Sequence, residues 1–154
     1  MKHGSPEDIP ELVRVINGAY EVEKFFVEGD RTDEARIRRM MTAGVFLTTQ
    51  DAAEPITGCV YVELRGDRGY FGMLSVDPSS QGHGLGRRLI EAAEDYAGTN
   101  GCTAMDIRVV NLRTELLPFY RKLGYVETGH TEPASDPRAL QPFYFVRMSK
   151  QLIA

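Results

Sequence analysis

Between Val76 and Arg88 the chain reads Val76-Asp77-Pro78-Ser79-Ser80-Gln81-Gly82-His83-Gly84-Leu85-Gly86-Arg87-Arg88, with three alternate glycines where a β-branched run gives way to a helical pattern. Glycines there let the chain turn tightly and approach a ligand closely. The free amides and positive dipole of the following helix then favour a phosphate or pyrophosphate. Arg87 and Arg88 fall in the first helical turn, where exposed cations oppose the dipole by about 0.3 to 1 kcal/mol each, which is reasonable if they meet an anion. The plainer alternative is that both point into water. Two familiar glycine motifs do not fit. A dinucleotide fingerprint starting at Gly82 needs glycine where Arg87 stands, and a Walker loop needs Lys and Ser/Thr where Arg87 and Arg88 stand.

The flanking elements must hold this loop in place. Ser5-Pro6-Glu7-Asp8 opens a first helix that runs to about Gly18, with Ile9, Leu12, Val13 and Ile16 as its apolar stripe. A loop spans Tyr20 to Thr32, and a second helix, Asp33 to Ala43, turns Ile37, Met40 and Met41 inward. Strands are expected over Val45 to Thr49, Ile56 to Arg65 and Tyr70 to Val76, with turns at Asp51 to Pro55 and at Gly66-Asp67-Arg68-Gly69. After the glycine loop, Leu85, Leu89, Ile90, Ala93, Tyr96 and Ala97 mark the buried side of a long helix that Asn100-Gly101 stops. A strand at Ala104 to Val110, a helix at Glu115 to Leu123 and strands at Tyr125 to Gly129 and Phe143 to Ser149 complete the pattern. Thr131 to Pro142 is a loop. Strands and helices that alternate after an initial hairpin specify an α/β domain with a mixed sheet, expected to be one domain over residues 1–154.

Bulk properties narrow the function. A net charge of -4 and a sequence pI near 5.4 argue against nucleic acid as a partner, since phosphate binding by bulk charge needs a basic surface. Cys59 and Cys102 sit in apolar runs without metal spacing and read as buried free thiols. There is no apolar stretch of membrane-spanning length and no secretory leader pattern, so a soluble cytoplasmic protein is expected, with neither a membrane partner nor a metal. In that setting the Arg65-Gly66-Asp67 tripeptide is a turn rather than an adhesion motif.

The segment from Met73 to Gly86 resembles the acetyl-CoA signature of the GNAT acetyltransferase superfamily. Leu74-Ser75-Val76 matches its strand, Asp77-Pro78 its turn, and Gln81-Gly82-His83-Gly84-Leu85-Gly86 its pyrophosphate loop. Downstream, Asn111 and Leu117-Pro118-Phe119-Tyr120-Arg121-Lys122-Leu123-Gly124-Tyr125 resemble the family's later motif. The likeness is strongest to members with Arg-x-Glu-Leu-Leu-Pro-Phe-Tyr, here Arg113 to Tyr120. It implies a GNAT-like mixed sheet flanked by helices, in which the central parallel strands Tyr70 to Val76 and Ala104 to Val110 splay apart, with Gly72 marking the bulge. It also implies acetyl-CoA as cosubstrate, its pantetheine pairing with the Leu74 and Val76 backbone, and acetyl transfer to a primary amine by direct attack in a ternary complex.

The same resemblance gives Tyr120 the role of proton donor to the departing thiolate and makes Asn111 a coenzyme A contact, although the stretch from Asn111 to Tyr120 is about two residues longer than in common members. Several members carry a carboxylate where this chain has Tyr70. Two acids remain as candidate general bases: Asp106, which matches a glutamate of the ribosomal-protein acetyltransferase branch, and Glu63, which faces the same way as Cys59 and Tyr61 by strand alternation and is slightly favoured. His83 contributes its backbone. The resemblance assigns the acceptor pocket to Tyr20 to Thr32, and the nine acids against four bases in residues 1–34 would draw in a cationic amine, a small molecule or a peptide. Only Met1 to Gly4 are available for the family's first strand, which is therefore missing or truncated. A homodimer is left open. The competing reading is a non-catalytic acyl-CoA-binding domain, which would keep the loop and dispense with proton-handling residues. A purely structural or partner-binding module would leave both motifs unexplained.

Overall fold

A computed structural model describes residues 1–49 and 55–153, so most of the turn expected at Asp51 to Pro55 lies outside the described residues. The strands are β1 (Lys2–His3), β2 (Val45–Thr48), β3 (Gly58–Arg65), β4 (Arg68–Val76), β5 (Ala104–Val110), β6 (Val126–His130) and β7 (Phe145–Gln151). They form one mixed sheet ordered β1-β2-β3-β4-β5-β7-β6, in which β4 and β5 run parallel and the other neighbours antiparallel. Its helices are α1 (Ile9–Ala19), α2 (Glu34–Met40), α3 (Leu85–Thr99) and α4 (Leu116–Lys122). Among the described residues no helix is long and apolar enough to cross a membrane.

The sheet is covered on both faces, which is why β3 is an almost unbroken apolar run. Val60 and Val62 pack with Leu89, Ile90, Ala93 and Ala97 of α3, while Cys59 and Tyr61 face Ile9, Leu12 and Ile16 of α1 and Ile37 of α2. Both cysteines are buried and free. The first edge strand is present but short: Lys2 pairs with Thr48 and His3 with Leu47. Helix entry is tighter than the sequence suggests. Pro6–Asp8 form a single 3-10 turn before α1, held by the Ser5 N–H and hydroxyl donating to the Asp8 carboxylate. At the last strand, pairing begins at Phe145 rather than Phe143 and extends to Gln151.

An irregularity in β4 decides what the sheet can hold. Cys59 pairs with Ser75 and Tyr61 with Gly72, so one extra residue sits on β4. That residue is Met73, with φ of 53°, rather than the expected Gly72. The bulge reverses the alternation: Phe71 packs towards α3, whereas Met73, two positions later, packs towards α1. Gly72 beside it leaves room for the Tyr70 hydroxyl, which a Cβ there would approach to 2.7 Å and displace.

The segment from Tyr20 to Thr32, expected as a loop, begins with a 3-10 turn (Tyr20–Glu23) and is clasped at its far end by Asn17 of α1. The Asn17 side chain accepts from the Thr32 N–H at 2.9 Å and donates to the Thr32 carbonyl at 3.1 Å. Thr32 is buried, so losing this partner strands two backbone groups. Asn17→Ala is expected to lower stability by about 1 to 3 kcal/mol in urea denaturation; a loss below about 0.5 kcal/mol would mean that packing alone holds the segment.

Candidate active site

The parallel ladder between β4 and β5 contains three pairs, Arg68 with Ala104, Gly69 with Met105 and Tyr70 with Asp106, and then stops. Beyond Tyr70 the β5-facing edge of β4 has no ladder partner, and the strands part as expected. Asp106 sits at the closed end of this fork. Its carboxylate accepts from Arg68 Nε at 2.8 Å, Arg68 Nη2 at 2.6 Å and the Ser149 hydroxyl at 2.5 Å. The Arg68 hydrogen bonds hold this acid below its ordinary range.

The open end of the fork leads into a cavity of about 520 Å³. Phe71 to Leu74 of β4 and Ile107 to Val110 of β5 form its floor, and Tyr20, Glu23, Tyr70 and Tyr120 contribute polar tips. Tyr120 is buried, its hydroxyl has no hydrogen-bond partner among the described residues, and burial pushes the phenol well above its ordinary range. Such an orphan in a cavity is suited to a ligand atom. Burial likewise pushes Tyr20 up to about 12. A smaller cavity of about 270 Å³ adjoins through Tyr70, Gly72, Met73 and Arg108, and Glu63 and Tyr61 line it.

Of the three acids that line these spaces, Asp136 pairs with Arg138 at 3.4 Å, and Glu63 and Glu23 differ from each other. Glu63 accepts from the Tyr61 hydroxyl at 2.8 Å and from Arg65 Nε at 2.9 Å. Burial favours its neutral form, but the Arg65 and Tyr61 hydrogen bonds outweigh it and the carboxyl titrates below its ordinary range. Glu23, which sequence reasoning did not single out, pairs with Arg113 at 3.0 Å. For Glu23, burial outweighs Arg113 and raises the pKa. No local motif announces it; only the fold brings residue 23 against residue 113.

The glycine loop follows Val76, at the open, C-terminal end of β4. Asp77 fixes its entry, accepting from the Ser79 N–H at 3.0 Å, the Ser79 hydroxyl at 2.7 Å and Arg14 Nη1 at 3.1 Å. Gly82 and Gly84 have φ of 87° and 74°, and nothing lies within 4 Å of where their Cβ atoms would be. Gly84 caps α3 without a side chain, leaving the amides of Leu85, Gly86 and Arg87 without helical partners. Arg87 forms a long 3.5 Å pair with Glu91, and Arg88 and His83 are exposed.

Other expected contacts are placed differently from one another. Leu74 lines the larger cavity, whereas Ser75 is buried with its hydroxyl donating to the Met73 carbonyl at 2.9 Å. The Val76 carbonyl accepts from Gln81 Nε2 at 3.2 Å, so it has a partner already. Asn111 Oδ1 accepts from the Tyr144 N–H at 2.9 Å, tying the end of β5 to the segment before β7. Neither Asn111 nor Asp106 lines either cavity.

The acetyltransferase (GNAT) domain model matches residues 14–151. The chain belongs to the GNAT acetyltransferase family. Over 95 residues it is 32% identical to a probable glucosamine 6-phosphate N-acetyltransferase 2 of Oryza sativa subsp. japonica, covering 55% of this chain and 55% of that one. It is also 30% identical over 84 residues to an IAA acetyltransferase of Azospirillum brasilense, covering 54% and 55%. The chain thus covers little more than half the length of these curated relatives. The GNAT fold extends along nearly all of it: the ribosomal-protein-S18-alanine N-acetyltransferase of Escherichia coli superposes with a TM-score of 0.75 over 99% of this chain and 93% of its own, at 17% identity. A Salmonella typhimurium protein solved with its cofactor acetyl-CoA gives 0.73 over 99% and 93%, at 19% identity.

Proposed function

We propose that this GNAT chain is an acetyl-CoA-dependent N-acetyltransferase acting on a primary amine by direct attack within a ternary complex. The observation that carries the reading is the fork between β4 and β5, whose open side holds the cavity with the unpartnered Tyr120 hydroxyl and beyond which β4 runs on to the side-chain-free terminus of α3. These features suit acetyl-CoA, which when bound supplies the acetyl group as a reactive thioester.

The chain's own residues divide the work. Amides of Gly82 to Arg87, with Arg87 and Arg88 beside them, hold the pyrophosphate, and the free edge of β4 from Phe71 onward offers N–H and C=O groups to the pantetheine. Tyr120, like any phenol, carries its proton at neutral pH, and burial shifts its titration further up, so it is in the donor form when the thiolate leaves. Proton removal from the attacking ammonium falls to Glu23, which shares a cavity with Tyr120 and is raised by burial; Glu63, in the adjoining cavity and depressed by Arg65, is the second choice.

Three experiments test this reading. Gly84→Asp adds strain, bulk and negative charge at the uncapped terminus, and is expected to abolish acetyl-CoA binding in calorimetry while circular dichroism stays native. Unchanged affinity would remove the loop from the site. Tyr120→Phe removes only a hydroxyl: turnover should fall by roughly 10 to 1,000-fold with acetyl-CoA affinity within about threefold. Wild-type turnover by that variant would eliminate Tyr120 as donor, and an inert wild type that binds acetyl-CoA against a full amine panel would favour a binding domain. Because Glu23 must be deprotonated to act, kcat/KM should rise with pH through its elevated pKa, and Glu23→Gln should flatten that limb while Glu63→Gln leaves it. The reverse pattern would give the proton to Glu63.

A further inference from the structure

The acids in residues 1–34 suggest a cationic acceptor, but the cavity walls carry the opposite charge. Arg31, Arg36 and Arg108 line both cavities, Arg39 lines the smaller and Arg138 the larger. Three carboxylates also face these spaces, and each already has an arginine: Glu23 has Arg113 at 3.0 Å, Glu63 has Arg65 at 2.9 Å, and Asp136 has Arg138 at 3.4 Å. Among the described residues Arg31, Arg36, Arg39 and Arg108 have no carboxylate partner. The guanidinium of Arg31 lies 5.2 Å from the Tyr20 ring centre and that of Arg108 4.4 Å from that of Phe145, faces that orient a cation without neutralising it.

These side chains come from separate elements: the segment before α2, α2 itself and β5. Arg36 feels the cost most directly. Burial disfavours its charge, and Arg31, Arg138, Arg108 and Arg39 add repulsion. Like charges gathered in a partly enclosed space destabilise the fold unless an anion joins them. The coenzyme A phosphates are not that anion in the reading above, because nothing from Asp77 to Arg88 lines either cavity.

We propose that the acceptor is an amine that also carries an oxyanion, a carboxylate, phosphate or phosphonate, which Arg31, Arg36 and Arg108 grip while the amino group points to the fork. The assignment rests on the acetyltransferase reading for the amine and on the arginines alone for the anion. The guanidinium fork suits such groups because it donates paired hydrogen bonds to two oxygens at once.

Matched pairs test it: aminopropylphosphonate against aminopropanol, and aminobutyrate against aminobutyramide, with acetyl-CoA saturating. At least one anionic member should exceed its neutral partner in kcat/KM by on the order of 10 to 100-fold, and Arg36→Gln should bring that ratio close to one while acetyl-CoA affinity stays within about threefold. Calorimetry with propylphosphonate and butyrate, which lack the amine, gives a readout free of turnover: at least one should bind the wild type and neither Arg36→Gln. Should Arg36→Gln misfold, Arg108→Gln replaces it. Binding of these anions without turnover of any amine would sink the transferase reading and keep the anion site. Equal kcat/KM within both pairs, no anion binding, or loss of acetyl-CoA affinity in the arginine variant would overturn the proposal.

Discussion

An interior sheet edge without a partner is costly, because each buried N–H or C=O that loses its ladder bond gives up the free energy that folding was meant to recover. In this chain β5 is seven residues long and nevertheless pairs with β4 at only three positions. Opposed local forces produce that fork. At its root, Arg68 of β4 binds Asp106 of β5, and Ser149 of β7 closes the same cluster. Further along, the extra residue at Met73 bends β4 away and reverses its facing. The cavity, the exposed backbone edge and the position of Tyr120 all follow from strands that are pinned at one end and pushed apart at the other.

That division explains how Asp106 and Glu23 differ in use. Both are carboxylates paired with arginine. Asp106, with two guanidinium bonds and a hydroxyl, is stabilised as an anion and fastens strands together. For Glu23 burial outweighs Arg113 and raises the pKa, the direction expected of the general base proposed above. A strand position alone cannot separate these cases. What separates them is how many donors the fold brings to the oxygens.

The parts legible in the sequence were those whose physics is local. Glycines at 82, 84 and 86, the helix start near Asp33 and the apolar stripes of α1 and α3 each state their geometry within a few residues, and the structure has them there. Gly72 was legible as a sign of irregularity, but the positive φ went to Met73, since steric room for Tyr70 and backbone strain are separate demands. Glu23 with Arg113 and the arginine-lined wall were not legible. They depend on residues 90 positions apart, or on α2, β5 and a distant loop meeting over one cavity. Charge counted along residues 1–34 does not give the charge of that wall, because Arg36, Arg39, Arg108 and Arg138 come from outside the segment.

The roof of the cavity is built separately from the sheet. The Leu140 N–H donates to the Phe26 carbonyl at 2.8 Å, the Glu28 N–H to the Arg138 carbonyl at 2.9 Å, and Val27 bridges to Ala139. Phe26 and Phe143 meet edge to face with ring centres 5.2 Å apart, forming a small apolar cluster with Val110. Two segments over a hundred positions apart therefore close the space as a unit, outside the two larger clusters that stabilise the sheet. Side chains on this roof, Arg138 among them, can change without touching the fork or the packing beneath it. In the reading proposed above, binding of the cofactor would depend on backbone geometry that the fold must keep, whereas recognition of the acceptor would depend on side chains that the fold leaves free to vary. Sequence relatives that preserve the first can thus differ in the second.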